Sequence, residues 1–436
     1  MARSRLYPPS VDPGIPVEPP TPAGWMRCRF GDVLEEVERP VQLDGETQYQ
    51  LVIAKRNRGG IVSRGTLCGR EILTKSQFAV EKGDFLISRR QIIHGACGIV
   101  PRELSGAVVS NEYAALRPRD QLAVEYLGYL SHTPYFQRTC FQSSVGVDVE
   151  KMIFKLEDWL KYGTPIPPPG EQCEIVDILS SVDNAIEKTQ AVIDQLQVVK
   201  AGLMQELLTR GLSGRHTRFH MTELGELPEE WEVFTIGDLL ESSTYGVNCP
   251  LTTDTAGTPV LRMGNIQNDR LDLSDLKFAD LSQEDADKVM LRPGDVLFNR
   301  TNSADLVGKV AIVTEDTPLP LSYASYLLRL RVNLQRCRPE WLHLRMASEE
   351  TQRGLRSIAT KGVSQANINP TKMRSIKVAV PSISEQVEQT AAVSSTEAAC
   401  SSETRGLNAL GVLKAALLSV LLTGEVRVTP DEEHAA

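Results

Sequence analysis

The sequence repeats itself once, and this duplication constrains the fold more than any other feature. GWMRCRFGDVLEE (Gly24–Glu36) near the start corresponds to EWEVFTIGDLLES (Glu230–Ser242) near the middle. In each, a Trp is followed five residues later by an apolar residue and then by Gly-Asp. KGDFLISRR (Lys82–Arg90) and PGDVLFNRT (Pro293–Thr301) correspond in the same way. Ordered matches at offsets of about 206 to 214 residues predict two copies of one globular unit rather than a short-period solenoid.

Each copy ends on a Pro-marked exit, IPPPGEQ or VPSISEQ, that leads into a long helix. Apolar residues in the first helix follow alternating steps of four and three, the 3.5-residue period of a coiled-coil seam. The second helix keeps this seam in its C-terminal half but is polar in its N-terminal half. We expect the two helices to pack as an antiparallel coiled coil, each a rod of roughly 60 Å. The seam residues are Ile175, Leu179, Val182, Ile186, Ile193, Leu196, Leu203, Leu207, Leu407, Leu410, Leu417 and Leu421.

Short β-rich runs alternate with Gly, Pro and Asn punctuation and with helical stretches in both globular copies. This pattern is typical of a mixed α/β (α+β) fold, here with internal pseudo-two-fold symmetry. The predicted boundaries are a Pro-rich arm, extended or disordered, at 1–23; a first domain at 24–170; a first long helix at 171–211; a linker at 212–229; a second domain at 230–384; a second long helix at 385–425; and a polar tail at 426–436.

The net charge of −9 argues against a protein that coats DNA without sequence preference, because phosphate neutralisation needs surplus Lys and Arg. Local patches remain available. Residues 321–380 contain eleven Lys/Arg against three Asp/Glu, a local charge of +8, and residues 41–100 contain nine against five, a local charge of +4. Eight singly scattered cysteines without a C-x-x-C pattern or zinc spacing indicate a reduced protein.

The N-terminal residues lack the apolar segment of a secretory signal. Near the C-terminus the longest uninterrupted apolar run is Ala415–Leu418, followed after Ser419 by Val420–Leu422, far short of the roughly 20 residues that a membrane span needs. These features predict a cytoplasmic protein that does not contact a membrane.

TELGELPEEW (Thr222–Trp231) and the helix EQCEIVDILSSVDNAIEKTQAVIDQLQVVKAGLMQELLTRG (Glu171–Gly211) resemble the DNA-specificity subunits of type I restriction–modification systems. The layout of domain, helix, domain, helix covers nearly the whole chain apart from the Pro-rich arm. The sequence departs from the family in two places. The seam of the second helix is partly polar, and the arm stands where a TELGELPE-like lead-in is expected.

The resemblance implies two target-recognition domains, each reading one half of a split DNA sequence. The paired helices would hold these domains apart and dock two methyltransferase subunits, which motor-nuclease subunits then join. It also implies a chain with no catalytic residues, metal or cofactor of its own. S-adenosylmethionine, ATP and Mg are expected in the partner subunits.

Sequence readout requires bidentate donors, namely Arg or Lys for guanine and Asn or Gln for adenine, while Lys, Arg and small polar groups position the phosphates. Gly-rich segments that suit exposed loops contain such residues in both copies. The alternative for each is a solvated surface charge or a turn residue. The candidate DNA contacts are Lys55, Arg56, Arg58, Arg89 and Arg90 in the first copy, and Arg300, Asn302, Lys361, Ser364, Gln365 and Asn367 in the second.

Motifs of independent chemistry are absent or weak. The sequence has no G-x-x-x-x-G-K-[ST] phosphate loop and no G-x-G-x-x-G cofactor fingerprint. NINP (Asn367–Pro370) lacks the second Pro and the aromatic residue of an adenine-methyltransferase loop, so we interpret it as a turn or strand entry. We interpret His216 and His220 as surface histidines, EDADK (Glu284–Lys288) as a charged helix face, and TPDEEH (Thr429–His434) as a solvated tail.

Two alternatives to a DNA-specificity subunit remain open. One is a single-chain methyltransferase or nuclease with a degenerate site, against which the missing motifs count. The other is a coiled-coil assembly scaffold that reads no sequence, against which the two basic stretches count. Cofactor-dependent activity of the isolated chain would support the first, and the absence of salt-dependent, sequence-selective DNA binding would support the second.

Overall fold

The computed structural model describes residues 7–362 and 365–429. The chain forms two compact units, Met1–Gln190 with Arg405–Ala436, and Ala191–Thr404. The two long helices predicted from the seams are present, and each contributes one part to each unit. They span Pro169–Arg210, 42 residues, and Ile383–Leu421, 39 residues.

The first unit is a mixed α/β structure. Its strands form a four-stranded sheet of order β2-β10-β7-β8, a five-stranded sheet of order β3-β6-β9-β4-β5, and the two-stranded pairs β1-β13 and β11-β12. The strands are β1 Met26–Arg29, β2 Leu34–Glu36, β3 Pro40–Val41, β4 Gln48–Ala54, β5 Ile61–Cys68, β6 Gln77–Ala79, β7 Phe85–Ser88, β8 Cys97–Ile99, β9 Val108–Ser110, β10 Tyr113–Pro118, β11 Ser144–Val145, β12 Ile153–Phe154 and β13 Gly163–Ile166. The helices are α1 Phe30–Val33, α2 Val124–Leu130, α3 Pro134–Gln142, α4 Leu156–Trp159, the first part of α5 Pro169–Arg210 and the last part of the second long helix, Ile383–Leu421.

The second unit has a four-stranded sheet of order β17-β26-β22-β24, three-stranded sheets of order β21-β18-β25 and β23-β28-β27, and the pairs β14-β15, β16-β29 and β19-β20. The strands are β14 Phe219–Thr222, β15 Gly225–Pro228, β16 Glu232–Thr235, β17 Leu240–Tyr245, β18 Thr258–Leu261, β19 Ile266–Gln267, β20 Arg270–Leu271, β21 Lys277–Ala279, β22 Val296–Asn299, β23 Thr301–Asn302, β24 Val310–Ile312, β25 Ser322–Tyr323, β26 Leu327–Val332, β27 Thr360–Lys361, β28 Ala366–Asn367 and β29 Lys377–Val380. The helices are α6 Gln283–Val289, α7 Pro339–Ala347, α8 Glu349–Ser357, α9 Pro370–Arg374 and α10 Ile383–Leu421.

The four-stranded sheets of the two units are equivalent. In both, the strand that follows the second repeated Gly-Asp (Gly83-Asp84 and Gly294-Asp295) is buried on two faces. In β7, Phe85 packs into one apolar cluster and Leu86 into another. In β22, Phe298 and Leu297 divide between two clusters in the same way. A strand covered on both faces must be apolar at successive positions, which explains the runs FLI and VLF.

The repeated Gly-Asp places a buried carboxylate at the start of this strand. Asp84 is paired with Arg117 of β10 at 3.0 Å, and Asp295 with Arg331 of β26 at 2.7 Å. The preceding Gly83 has a φ of 84°, a left-handed conformation that glycine adopts without strain. The motif is therefore a structural one that ties two neighbouring strands together.

The repeated Trp anchors the start of a long helix in each unit. Trp25 donates from Nε1 to Glu171 of α5 at 3.0 Å, and Arg427 pairs with the same carboxylate at 2.7 Å. In the second unit, Trp231 donates to Glu385 of α10 at 3.2 Å. We call the first arrangement the first helix clamp and its counterpart the second helix clamp.

His216 completes the second helix clamp, and its side chain is only 5% exposed between Glu385 at 3.0 Å and Glu230 at 2.9 Å. The interpretation of His216 as a surface histidine is therefore wrong, whereas His220 is exposed. Burial by itself would lower the pKa of His216, but its hydrogen bonds to the two carboxylates outweigh that effect and raise the pKa.

Within each unit, parts of α5 and α10 pack against each other in antiparallel fashion. Lys414 pairs with Asp183 in the first unit, and Lys200 pairs with Glu397 in the second. Both Lys residues occupy seam positions. In each unit, an ion pair between a Lys and a carboxylate of the other helix therefore replaces an apolar contact. Of the apolar seam residues, Ile175, Leu179, Val182, Ile193, Leu207 and Leu421 are buried, and Ile186, Leu196, Leu203, Leu407, Leu410 and Leu417 are half-buried.

The described part of the Pro-rich arm, residues 7–23, contains no helix or strand and packs on the first unit. Val11 is buried, and Asp12 accepts a hydrogen bond from Arg138 of α3 at 2.9 Å. Ser10 and His94 are joined at 2.9 Å. These contacts tie the described part of the arm to the rest of the first unit.

Candidate nucleic-acid interface

The first group of predicted DNA contacts lies in the turn between β4 and β5. Lys55 is exposed, and Arg56 pairs with Glu150 at 2.6 Å. Arg58 instead donates from Nε to the carbonyl oxygen of Ser131 at 2.8 Å, and burial lowers its pKa. Lys55 and Arg56 therefore lie at the surface, while Arg58 is held inside the unit.

The second group follows β7 and is also paired with carboxylates. Arg89 pairs with Glu36, and Arg90 pairs with Glu112. Gln91, which follows Arg90, accepts a hydrogen bond through Oε1 from Arg56 Nε at 2.7 Å. The two predicted groups of the first unit therefore lie beside each other, with a glutamate against each of these three arginines.

The predicted residues of the second unit are brought together by the small sheet β23-β28-β27. Thr301 lies opposite Asn367 in the register of β23 and β28, and Lys361 of β27 lies opposite Ala366. Lys361 and Gln365 are exposed, and Asn302 is half-buried. Ser364 lies outside the described residues. The sheet thus collects Arg300, Asn302, Lys361, Gln365 and Asn367.

Arg300 has the most specific surroundings of this group. Its guanidinium lies over the ring of Tyr245, 5.2 Å from the centroid, and donates from Nη2 to Asn367 Oδ1 at 3.2 Å. The amide nitrogen of Asn367 in turn donates to Thr301 Oγ1 at 2.9 Å. Within the described ranges, no carboxylate forms an ion pair with Arg300, in contrast to Arg56 of the first unit.

Two tyrosines at this site were missed by the sequence analysis. Tyr245, at the end of β17, is 52% exposed, and Tyr326, just before β26, is 45% exposed. Tyr326 lines a groove of about 460 Å³ together with Asn302 and Lys309. Neither tyrosine is near Arg300 in sequence, so strand pairing alone brings them to it. The sequence feature that could have pointed to them is a tyrosine at the end of a predicted strand that does not belong to the strand's pattern of buried apolar residues.

The weak motifs have structural roles. Asn369 of NINP caps α9, accepting a hydrogen bond from the backbone N–H of Thr371 at 2.8 Å, so the segment is a turn that begins a helix. EDADK lies on α6, where Lys288 pairs with Glu284 at 2.7 Å on an exposed face. Of TPDEEH, only Thr429 is within the described residues. In the part of the chain that the structure describes, no group of three or more His, Cys, Asp or Glu is suited to a metal ion.

One described helix, α10, is long and apolar enough to cross a membrane by length and composition, with a stretch of mean hydropathy 1.2. Uninterrupted apolar runs in the sequence do not reveal this property, because polar residues interrupt the apolar stretch. Length and composition are weak evidence of a span, since core helices of soluble proteins have the same properties.

The family model of the type I restriction modification DNA specificity domain matches the chain twice, at residues 22–198 and 228–410. The type I restriction enzyme MjaVIII specificity subunit of Methanocaldococcus jannaschii is 24% identical over 93% of this chain and 94% of its own length. The MjaX specificity subunit of the same organism is 34% identical over 39% of this chain and 40% of its own length. The EcoKI specificity subunit of Escherichia coli K12 is 22% identical over 63% of this chain and 58% of its own length.

Solved structures have the same fold. The S subunit of a type I restriction–modification system from M. genitalium is 12% identical, covers 93% of this chain and 99% of its own, and has a TM-score of 0.55. A chain from a study of complex assembly and conformational transition in the type I system is 18% identical, covers 93% of this chain and all of its own, and has a TM-score of 0.57.

Two equivalent α/β units, each carrying a candidate DNA-contacting surface, define a tandem recognition protein. The chain belongs to the type I restriction–modification DNA specificity family, because the family model covers well over half of its length. Its relatives are named as specificity subunits, and such subunits are non-catalytic, so no cofactor is implied for this chain.

Proposed function

We propose that this chain reads a two-part DNA sequence, with one half-site for each unit. The observation that carries the proposal is the pair of consecutive matches to the specificity domain, 22–198 and 228–410, in units whose four-stranded sheets have equivalent strand orders. Two related units present similar surfaces to duplex DNA, as a dimeric regulator does to its half-sites. Because the units have diverged, the target is asymmetric, with unread bases between its halves.

We assign the exposed parts of the two long helices to partner subunits. The assignment is supported by the exposed apolar side chains on these helices, since apolar surface is what a partner subunit would cover. Two methyltransferase subunits dock there, and motor-nuclease subunits join them. S-adenosylmethionine-dependent methylation of adenine and ATP- and Mg-dependent translocation and cleavage belong to those partners, in the cytoplasm. The exposed large apolar residues of the two helices are Val192, Val198, Val199, Val387, Val412 and Leu413.

The two alternatives from the sequence are less well supported. A single-chain methyltransferase or nuclease has no relative among the matched proteins described above, all of which are type I system subunits. A scaffold that reads no sequence does not account for two consecutive DNA specificity domains.

A base-resolution methylome of the host, recorded with and without this gene, tests the proposed function. We expect a split, asymmetric adenine-methylation motif to vanish when the gene is deleted. Exchange of residues 24–170 for the equivalent domain of a relative should then alter one half-motif and leave the other intact. A single continuous motif, or a methylome unchanged by deletion, contradicts the proposal.

A further inference from the structure

Arg300 is held by several contacts of its own unit, and no carboxylate of the described residues forms an ion pair with it. Its backbone N–H donates to the carbonyl oxygen of Tyr326 at 3.1 Å, and its own carbonyl oxygen accepts from the N–H of Ile368 at 2.8 Å. The Tyr245 ring lies against the guanidinium, and Asn367 accepts from Nη2. An arginine that lies over an aromatic ring and is hydrogen-bonded loses little further freedom when it binds a ligand, so its position is prepared in advance.

This arrangement leaves one part of the guanidinium available. Nη2 is directed by Asn367, and Nε is buried without a hydrogen-bond partner in the described structure. Nη1 makes no hydrogen bond within the described residues and is not among their buried unpartnered atoms. Nη2 carries a second hydrogen besides the one it donates to Asn367, so Nη1 and Nη2 together can form the planar, two-pronged donor that matches O6 and N7 of guanine in the major groove. A phosphate can accept from the same fork, but only a guanine contact depends on the identity of one base, so replacement of single guanines separates the two ligands.

The surroundings of Arg300 suit a nucleic-acid ligand. Tyr245 and Tyr326 are half exposed, and Lys361 and Gln365 are exposed on the same small sheet. Lys361 has no ion pair among the described residues, so its charge is available to a phosphate. Asn367, by contrast, has both its oxygen and its nitrogen engaged within the unit, which makes it a support for Arg300 rather than a base contact.

We propose that Arg300 reads a guanine in the half-site of the second unit, with Tyr245 and Asn367 as positioning residues. Tyr245 supports the guanidinium by lying against it, and Asn367 fixes the direction of Nη2 by accepting its hydrogen bond. The proposal rests on the proposed function, since it requires the second unit to meet base edges in DNA.

The test uses the full chain assembled with its methyltransferase partner, and a duplex that carries the methylome-derived motif. Each guanine of the second half-site is replaced in turn, and affinity is measured by fluorescence anisotropy at one salt concentration. For Arg300→Lys we expect discrimination at one guanine to fall roughly 10- to 100-fold, with unchanged affinity for a shuffled duplex. Tyr245→Ala should lose discrimination at the same position, while Tyr245→Phe, which retains the ring, should behave as wild type.

Arg353→Lys is the matched control, because Arg353 is an exposed arginine of the same unit and, among the described residues, its ion-pair partner is Glu349 of its own helix. It should leave every affinity unchanged. Full discrimination by Arg300→Lys, or an equal loss on all duplexes including the shuffled one, overturns guanine reading by Arg300. Loss in Arg300→Lys without loss in Tyr245→Ala overturns the positioning role. Wild-type protein that binds all duplexes equally overturns the proposed function itself, and the guanine proposal with it.

Discussion

The two units follow one plan but hold their candidate DNA-contacting arginines differently. In the first unit, Arg56, Arg89 and Arg90 each pair with a glutamate. In the second, Arg300 is fixed by an amide and an aromatic ring. An arginine that must leave a carboxylate before it meets DNA loses part of the electrostatic gain of binding. If these arginines contact DNA as proposed, we expect the contact of the second unit to be prepared in advance and those of the first unit to exchange partners.

The helix clamps differ at the cation in a similar way. The first helix clamp is closed by Arg427, which is 41% exposed, and the second by the almost fully buried His216. Arg stays charged at any pH at which the protein folds, while His does not. The cation of each clamp therefore hydrogen-bonds the clamp glutamate, but the two cations differ in exposure and in pH dependence.

The largest effect should come from removing the clamp carboxylates. Glu385→Ala removes the acceptor of Trp231 and leaves His216 buried beside Glu230 alone, so we expect a loss of about 3 kcal/mol in the free energy of unfolding of the second unit. Glu171→Ala should cost less, about 2 kcal/mol, because the partly exposed Arg427 can return to water. Hydrogen–deuterium exchange of the full chain measures both.

The control for Glu385→Ala is Glu388→Ala on the same helix. Glu388 is half exposed and pairs with Arg215, so its removal should cost less than about 1 kcal/mol. Faster exchange confined to 383–404 in Glu385→Ala, and to 169–190 in Glu171→Ala, would agree with two separate clamps. Equal exchange in Glu385→Ala and Glu388→Ala would show that the second helix clamp does not stabilise its unit.

A smaller effect is the pH dependence of the second helix clamp. Because the pKa of His216 is raised in the folded protein, its contribution to stability is fully present below the ordinary His pKa of about 6.5 and is lost as pH rises through the raised value. His216→Gln lacks this titration. We therefore expect the difference in melting temperature between wild type and His216→Gln to shrink from about pH 6 to higher pH.

Arg427→Gln serves as the comparison for the first helix clamp. Its partner Glu171 has a lowered pKa despite burial, owing to hydrogen bonds from Arg427 and Trp25, so both groups stay charged over this range. The loss in melting temperature should therefore be constant with pH. His94, His132 and His343, whose pKa values are lowered by burial, titrate in all of these proteins and cancel in the differences. A constant difference for His216→Gln would refute the pH dependence.

The duplication and the seam could be predicted from the sequence because both consist of repeated spacings: similar motifs recur after about 206 to 214 residues, and apolar residues recur at alternating steps of four and three. The offset of 214 residues that relates Lys200 to Lys414 also relates Asp183 to Glu397, their ion-pair partners. The histidine of the second helix clamp was not readable, since HTRFH has no periodic context and its partner Glu385 is 169 residues away. Local patterns specify elements, but long-range partners follow only from how those elements pack.

The sequence predicted which residues could form the candidate site, but it did not predict how those residues contact one another. Arg300 and Asn367 were both expected to contact DNA, yet their mutual hydrogen bond depends on strands that are 66 residues apart where Thr301 meets Asn367. Arg58 shows the reverse, because a KRNR sequence suggests surface charge while its side chain turns inward to Ser131. Side-chain direction in a turn depends on φ, and Arg58 has a φ of 55°, which composition does not reveal.

The smallest predicted effect tests the carboxylates of the first unit directly. Glu150→Gln removes the negative partner of Arg56 without changing side-chain size, so the guanidinium becomes available to a phosphate. Exposed ion pairs contribute little, so we expect DNA affinity of the assembled complex to rise only about two- to five-fold. The salt dependence of the affinity should steepen by up to one phosphate contact. Anisotropy titrations over a range of salt concentrations measure both quantities.

Glu103→Gln separates this effect from a general loss of negative charge. Glu103 is exposed on the first unit and has no ion pair among the described residues, so this variant changes the net charge equally but frees no arginine. If affinity rises as much in Glu103→Gln as in Glu150→Gln, the gain is only long-range electrostatics, and the carboxylate partners of the first unit do not limit its DNA contacts. If only Glu150→Gln gains affinity, partner exchange at Arg56 is part of binding, and the two units differ in how their contacts are prepared as well as in which bases they read.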